Sequence, residues 1–487
     1  MKAKILAVSA LGAFALGAAE VEDVIVRQQW PWSTDVKVEY KLSGVDGTHP
    51  VDITARAFNG DEELDAAALA GAITGDRYGI TDSVGSFTID PVKAFGTSRV
   101  ALGSFRVKLS LSESAANLDE VIYKIFCLTN NTCRDVTRRE ILNGELGSYE
   151  TDYGRIGDGF NTTLDDVLIW TAVTNDVKYK TTHLVMRKIP AAGVTWKIGA
   201  PSTEKGTDYV DNKGREDQHA VQLTEDFFIG VFELTQYQFS KFYTLPASGF
   251  TGEADSDIRP AVSVQYGYDL RGLNDWKAED GSISKNEFVY WPTNAYRHAV
   301  RYNRAIGVMR SRLGTKFDLP TEAQWEFAYR AGSTNALYSG KEMITTAAER
   351  DRNVDELAWT KESDYSDAPG GTAQTRPVGL KKPNAFGLYD MAGNASEWCL
   401  DWFYPDVSTF YDEAESGMAD VAHNDPLVDP VGRSTRSDTY NLRAVRGGNW
   451  NIPQRYTRAA YRFGQQYTAS PNTTGLRVVC PAAADWK

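Results

Sequence analysis

The chain has 487 residues, of which 42% are hydrophobic and 24% charged, with a formal net charge of −13 and five histidines. That length exceeds what one hydrophobic core usually holds, so two or three domains are expected. The acidic balance excludes nucleic acid and anionic membranes as partners, because both need a basic face.

In chain order, Met1-Lys-Ala-Lys4 precedes an apolar run from Ile5 to Leu16 and then Gly17-Ala18-Ala19. This is the pattern of a signal peptide over 1–19, cleaved near Ala19, and it predicts a secreted or periplasmic protein. The run is shorter than the ~20 residues that span a bilayer, and no later segment is long and apolar enough, so no membrane span is expected. From Val36 onward, apolar and polar residues alternate: Val36, Val38, Tyr40 and Leu42; Val51, Ile53, Ala55 and Ala57; Phe105, Val107, Leu109 and Leu111. Period-two alternation gives strands with one buried and one wet face, so a β-sandwich of immunoglobulin-like or fibronectin-like type is expected over 20–133. Cys127 and Cys133 flank the turn-forming Leu-Thr-Asn-Asn-Thr, which predicts a local disulfide. Residues 134–179 read as a connector with a short helix over Val136–Leu142.

Further on, Thr235 with Gln238 and Thr321 with Gln324 are capping-box patterns, each predicting a helix N-terminus. The second should open a helix from Glu322 to Tyr329. A helix is also expected from Ala295 to Leu313, stopped by Gly314, with Arg297, Arg301 and Arg304 on its solvent side.

The stretches Phe317-Asp-Leu-Pro-Thr-Glu-Ala-Gln-Trp-Glu-Phe-Ala-Tyr-Arg-Ala-Gly332 and Asn384-Ala-Phe-Gly-Leu-Tyr-Asp-Met-Ala-Gly-Asn-Ala-Ser-Glu-Trp398 are followed by Arg446-Gly-Gly-Asn-Trp450 and Gly475-Leu-Arg-Val-Val-Cys480. In that order they resemble the sulfatase-modifying-factor family, whose founding member is the formylglycine-generating enzyme. The resemblance places a domain of C-type-lectin-like fold over 180–487, so the fold class of the whole chain is α+β, with the sandwich preceding that domain. It implies a structural calcium ion held by the carboxylates of Asp390 and Glu397 and the backbone carbonyls of Gly393 and Ala395, a mix of hard oxygens that suits calcium. The competing reading of this segment is a glycine turn fixed by acid-to-backbone hydrogen bonds without metal.

The family's catalytic copper site uses two cysteine thiolates, and those positions fall on Ile452 and Thr457. Neither side chain can replace a thiolate, so copper is not expected. Iron is not expected either, because His49, His183, His219, His298 and His423 are scattered without ligand spacing. Cys480 matches a family position that is disulfide-bonded in the vertebrate enzyme, but its partner position is Tyr329 here; Cys399 and Cys480 are read as free buried thiols, with pairing between them the alternative. Asp318 stands where the family usually has Arg, which alters any charge network built there.

The favoured function is therefore an exported, non-oxidase member that binds an anionic glycan or an exported protein. Trp450, Arg455, Tyr456, Arg458 and Tyr461, in the segment at the family's cleft, are the candidate contacts. Against this stand core packing for the aromatics and pairing of the arginines with the protein's own carboxylates. The alternative function is a family oxidoreductase, of formylglycine-generating or non-haem-iron type, acting on an exported sulfatase-like substrate. A structural or surface-array role rests on the sandwich alone.

Overall fold

The computed structural model describes residues 3–5, 19–101, 103–114, 117–151, 168–201, 204, 216–246, 250, 252–272, 300–344, 349–363, 365–366, 373–403, 426–431 and 442–482. The chain divides into two compact units. The first takes Met1–Ile122, Asp135–Thr151 and Leu168–Val173; the second takes Tyr123–Arg134, Asp152–Val167 and Thr174–Lys487.

In the first unit the alternating residues form strands as their pattern demands. Val36–Ser43 buries Val36, Val38, Tyr40 and Leu42 and turns the residues between them outward. Its neighbours in an antiparallel sheet are Glu20–Gln28 on one side and Val84–Ile89 on the other, with Ala3–Ile5 and Ile73–Gly75 at the two edges. A second antiparallel sheet pairs Val51–Asn59 with Phe105–Glu113 and with the short Glu62–Glu63. Inward residues of both sheets, among them Val38, Ile53, Phe87, Ile89, Phe105 and Val107, share one apolar core, which makes the unit a β-sandwich. A capping box between Thr137 and Glu140 opens a helix over Arg138–Leu142.

The second unit is sheet-rich with short helices, so the α+β class holds for the chain. One sheet runs in the order Thr132–Thr137, Val121–Cys127, His183–Ile189, Phe227–Gly230, Val479–Pro481. A second combines Val194–Ile198, His219–Leu223 and Leu427–Val428, and a third has the order Phe463–Gln466, Leu442–Arg446, Ser396–Trp402, Thr474–Gly475. All seven residues of Ser396–Trp402 are buried, as are all nine of the helix Glu322–Arg330. A strand and a helix wet on neither face are central elements, and they carry the groups of the site. Both expected capping boxes are formed, Thr235 with Gln238 and Thr321 with Gln324.

Two expectations are corrected. The Cys127–Cys133 disulfide is not formed: all four cysteines are thiols, and the Cys127 sulfur lies 3.1 Å from the Thr129 hydroxyl. The helix ending at Gly314 is described over Ala305–Leu313, and Arg297 lies outside the described residues. Arg304 is not simply solvated, since it donates to the Tyr243 hydroxyl at 2.6 Å. No helix among the described residues is long and apolar enough to cross a membrane.

Candidate cation site and the loop beside it

Asp390 to Glu397 is a turn whose backbone groups are disposed in alternation. Every N–H from Gly393 to Ser396 has an acceptor: Gly393 donates to Gly447 O (2.8 Å), Asn394 to Trp359 O (2.9 Å), Ala395 to Glu233 Oε1 (2.8 Å) and Ser396 to Thr473 O (2.9 Å). The Asn394 carbonyl accepts from Trp450 N at 3.0 Å. The carbonyls of Gly393 and Ala395 on either side of it accept no hydrogen bond among the described residues. Positive φ at Asp390, Gly393 and Asn394 produces this alternation. At Gly393 a Cβ would lie 2.4 Å from Trp359 O, so only glycine fits there.

The carboxylates complete the picture. Asp390 is buried; its Oδ2 accepts from Gly379 N at 2.6 Å, and its Oδ1 is buried with no partner. Glu397 shares its two oxygens between Arg477, at 3.0 to 3.2 Å, and the indole N–H of Trp325 at 2.7 Å. Glu233, fully buried, accepts from Ala395 N and from the Asn394 side-chain amide at 2.6 Å. Burial, followed by the other acids, pushes Glu233 well above the usual carboxylate range, and burial pushes Asp390 up to about 6. Three carboxylates thus face two cations, Arg477 and the buried Lys180.

The donor set that the resemblance implies fits calcium on this evidence. Asp390 Oδ1, Gly393 O and Ala395 O are the atoms left without donors. A buried charged or polar oxygen without a partner is costly, and a divalent ion would supply the missing contacts. Among the described residues no group of three or more His, Cys, Asp or Glu side chains could hold a metal ion, so any cation here relies on carbonyl oxygens as well.

The neighbouring loop begins where Leu442–Arg446 ends. Arg446 is buried against Glu326 and donates to Tyr461 O at 2.6 Å. Gly448, with φ 73°, lies so close to the returning chain that a Cβ would be 2.7 Å from Tyr456 O and 3.0 Å from the Thr457 methyl. Thr457 is buried; its hydroxyl donates to Gln454 O at 2.8 Å and its carbonyl accepts from the Tyr329 hydroxyl at 2.7 Å. Ile452 is half-buried, and its carbonyl accepts from Lys361 N at 3.1 Å. A methyl and a hydroxyl thus fill the space beside Gly448 in place of a thiolate. The buried thiols are elsewhere: Cys399 lies in Ser396–Trp402 and Cys480 in Val479–Pro481, and burial raises both above the usual thiol range, which keeps them protonated.

The five candidate contacts separate. Trp450 belongs to a small core with Phe250, Val262, Tyr365 and Ala395. Its ring meets Phe250 edge-on at 5.5 Å. Arg458 is fully buried between Glu204 and Glu216 at 2.7 Å, and Arg462 is spent on Glu322. For these two arginines the bland expectation of internal pairing is what the geometry shows. Arg455, Tyr456 and Tyr461 are half-buried and stay together: the Arg455 guanidinium lies 4.7 Å from the Tyr456 ring, which lies 4.8 Å from the Tyr461 ring. Sequence reasoning missed Glu233, Arg477 and the Arg271–Asp318 pair. That last pair is bidentate at 2.9 and 3.0 Å, and Arg310 adds a third contact, so Asp318 has its own charge network.

A family model described as a sulfatase-modifying factor enzyme 1-like domain matches residues 190–482. The chain is 30% identical over 236 residues to a formylglycine-generating enzyme of Streptomyces coelicolor, covering 47% of this chain and 65% of that one. It is 33% identical over 184 residues to a protein named chaperone protein LppX of Paenibacillus barcinonensis, covering 36% and 62%. It thus spans a little under two thirds of the length of each. Among solved structures, Treponema denticola variable protein 1 is similar at 22% identity, covering 61% of this chain and 95% of that one, with a TM-score of 0.40. The chain belongs to the sulfatase-modifying factor family, whose domain, with the C-type-lectin-like fold expected for it, occupies the C-terminal three-fifths of the sequence.

Proposed function

We propose that this protein is an exported, non-oxidase member of its family that uses a calcium-stabilised domain to bind a ligand or another protein. One observation carries the reading: at the positions of the family's copper thiolates stand Ile452 and Thr457, and Thr457 is locked by two hydrogen bonds into a packed loop. Soft Cu(I) selects soft sulfur, which that loop does not offer. Calcium would be held by Asp390, Gly393, Ala395 and Glu397, stiffening the turn against which Trp450 packs. Recognition would rest on Arg455, Tyr456 and Tyr461, a cation and two rings suited to an anionic glycan or an acidic segment of an exported protein. Signal cleavage near Ala19 would remove the Ala3–Ile5 edge strand and leave the other four strands of its sheet intact.

The relatives named formylglycine-generating enzyme favour a second reading, a family oxidoreductase working on an exported sulfatase-like substrate without the thiolate pair. The two separate in one experiment. The purified protein is offered a sulfatase-type cysteine peptide with copper and oxygen, and in parallel an array of anionic and neutral glycans. Array binding lost in Arg455→Ala and Tyr456→Ala supports the binder; peptide turnover abolished by a copper chelator overturns it.

A further inference from the structure

We propose that Glu233 is the positioning residue of the cation site, a carboxylate that shapes the ligand turn without touching the ion. The inference rests on the calcium reading of Asp390 to Glu397 and assigns a residue outside that segment to it.

Glu233 follows the strand Phe227–Gly230 and precedes the helix Gln236–Ser240, on a different part of the chain from the turn. Its side chain is fully buried, and each of its oxygens serves one of two consecutive residues: Oε1 takes Ala395 N and Oε2 takes the Asn394 amide. The Asn394 side chain is thereby oriented so that its own oxygen accepts from Arg376 N at 2.8 Å. The peptide between Asn394 and Ala395 is thus pinned at both ends, its N–H by Glu233 and its C=O by Trp450 N. With that peptide held, the peptides before and after it keep their carbonyls, those of Gly393 and Ala395, off every protein donor among the described residues. That is the arrangement a cation needs from two alternate carbonyls.

Two features argue that the residue must be a carboxylate. Both partners are donors, so a glutamine would present its own N–H2 to one of them and lose that contact. In addition, Glu233 has no ion-pair partner among the described residues, whereas Glu397 has Arg477. A buried carboxylate that accepts two hydrogen bonds but forms no ion pair sits best beside a site that a divalent ion completes.

Terbium is the probe, because it takes calcium's oxygen ligands and the Trp325 indole, 2.7 Å from Glu397 Oε2, is placed to sensitise its emission. Full-length protein stripped with chelator is titrated with terbium chloride, and calcium is then added in competition. The wild type should show saturable emission displaced by calcium, and Asp390→Ala should lose it. Glu233→Gln should need about tenfold more terbium for half-saturation, a difference of about 1.4 kcal/mol, while its near-ultraviolet circular dichroism stays native. Glu233→Asp keeps the charge but is too short to reach both donors, and should be weakened too; it carries the test should the Gln variant fail to fold. Wild-type affinity in either folded variant overturns the role of Glu233 and leaves the cation reading standing. Absence of calcium-displaceable emission in the wild type, with no melting shift on adding calcium, sinks both.

Discussion

The two units solve the problem of a unique fold with different chemistry. In the sandwich, the core is aliphatic and aromatic, with Tyr40 contributing a hydroxyl that donates to Asp76 O at 2.9 Å. The ion pairs of its sheets, such as Arg27 with Glu39 and Lys41 with Glu22, lie on the surface. In the second unit, Arg271, Arg446, Arg458 and Arg477 are fully buried and each grips a buried acid. Burying such pairs costs desolvation that their attraction only partly offsets, so they specify geometry more than they add stability. The second unit has few long strands or helices to define its shape, and bidentate arginines tie its irregular loops to the central helix and strand instead.

That contrast can be broken at either end. The largest effect should come from Arg477→Ala, which leaves Glu397 buried and uncompensated: about 3–5 kcal/mol of stability lost in denaturant unfolding. Phe87→Ala in the sandwich core should cost a similar amount, about 3–5 kcal/mol, through cavity formation rather than charge, and so should be insensitive to salt and pH. Next comes the metal. Chelation should lower the melting temperature of the second unit, and calcium at a hundred times its dissociation constant should restore about 2.7 kcal/mol. An unchanged melting curve in chelator would remove calcium from the account.

A further effect, spread over several pH units, concerns Asp401. Burial, and then the charge of Glu322, push Asp401 up to about 8. The folded-state value lies above the unfolded one, so the stability tied to its protonated form is complete below about pH 4 and is lost as pH rises through 8, by at most about 1.4 kcal/mol per unit. Asp401→Asn should flatten the fall in melting temperature between pH 5 and 8; an identical slope contradicts the assignment. The smallest effect is expected from Arg56→Ala on the sandwich surface, whose pair with Glu63 is solvent-exposed and screened, so its denaturant midpoint should stay close to that of the wild type.

How much of this was legible in the sequence follows from the same contrast. Period-two alternation located Val36–Ser43, Val51–Asn59 and Phe105–Glu113, because a sandwich strand buries every second residue. The capping boxes at Thr235 and Thr321 were readable because the partner lies three residues away. The resemblance carried the second unit's family and named the turn from Asp390 to Glu397. What stayed hidden was long-range polar pairing. Glu233 lies about 160 residues from the amide it accepts, and Arg458 is more than 240 from Glu216, so no local pattern announces either. For the same reason the sequence left Trp450 and Arg458 open between ligand contacts and internal packing or pairing, and the structure shows them packed and paired within the protein.

The most direct test of the central proposal, that the family domain binds calcium and carries no oxidase metal, is elemental analysis of the purified protein for calcium, copper and iron together. The account predicts calcium near one per chain, with copper and iron at background. Stoichiometric copper or iron, bound without calcium, would contradict it.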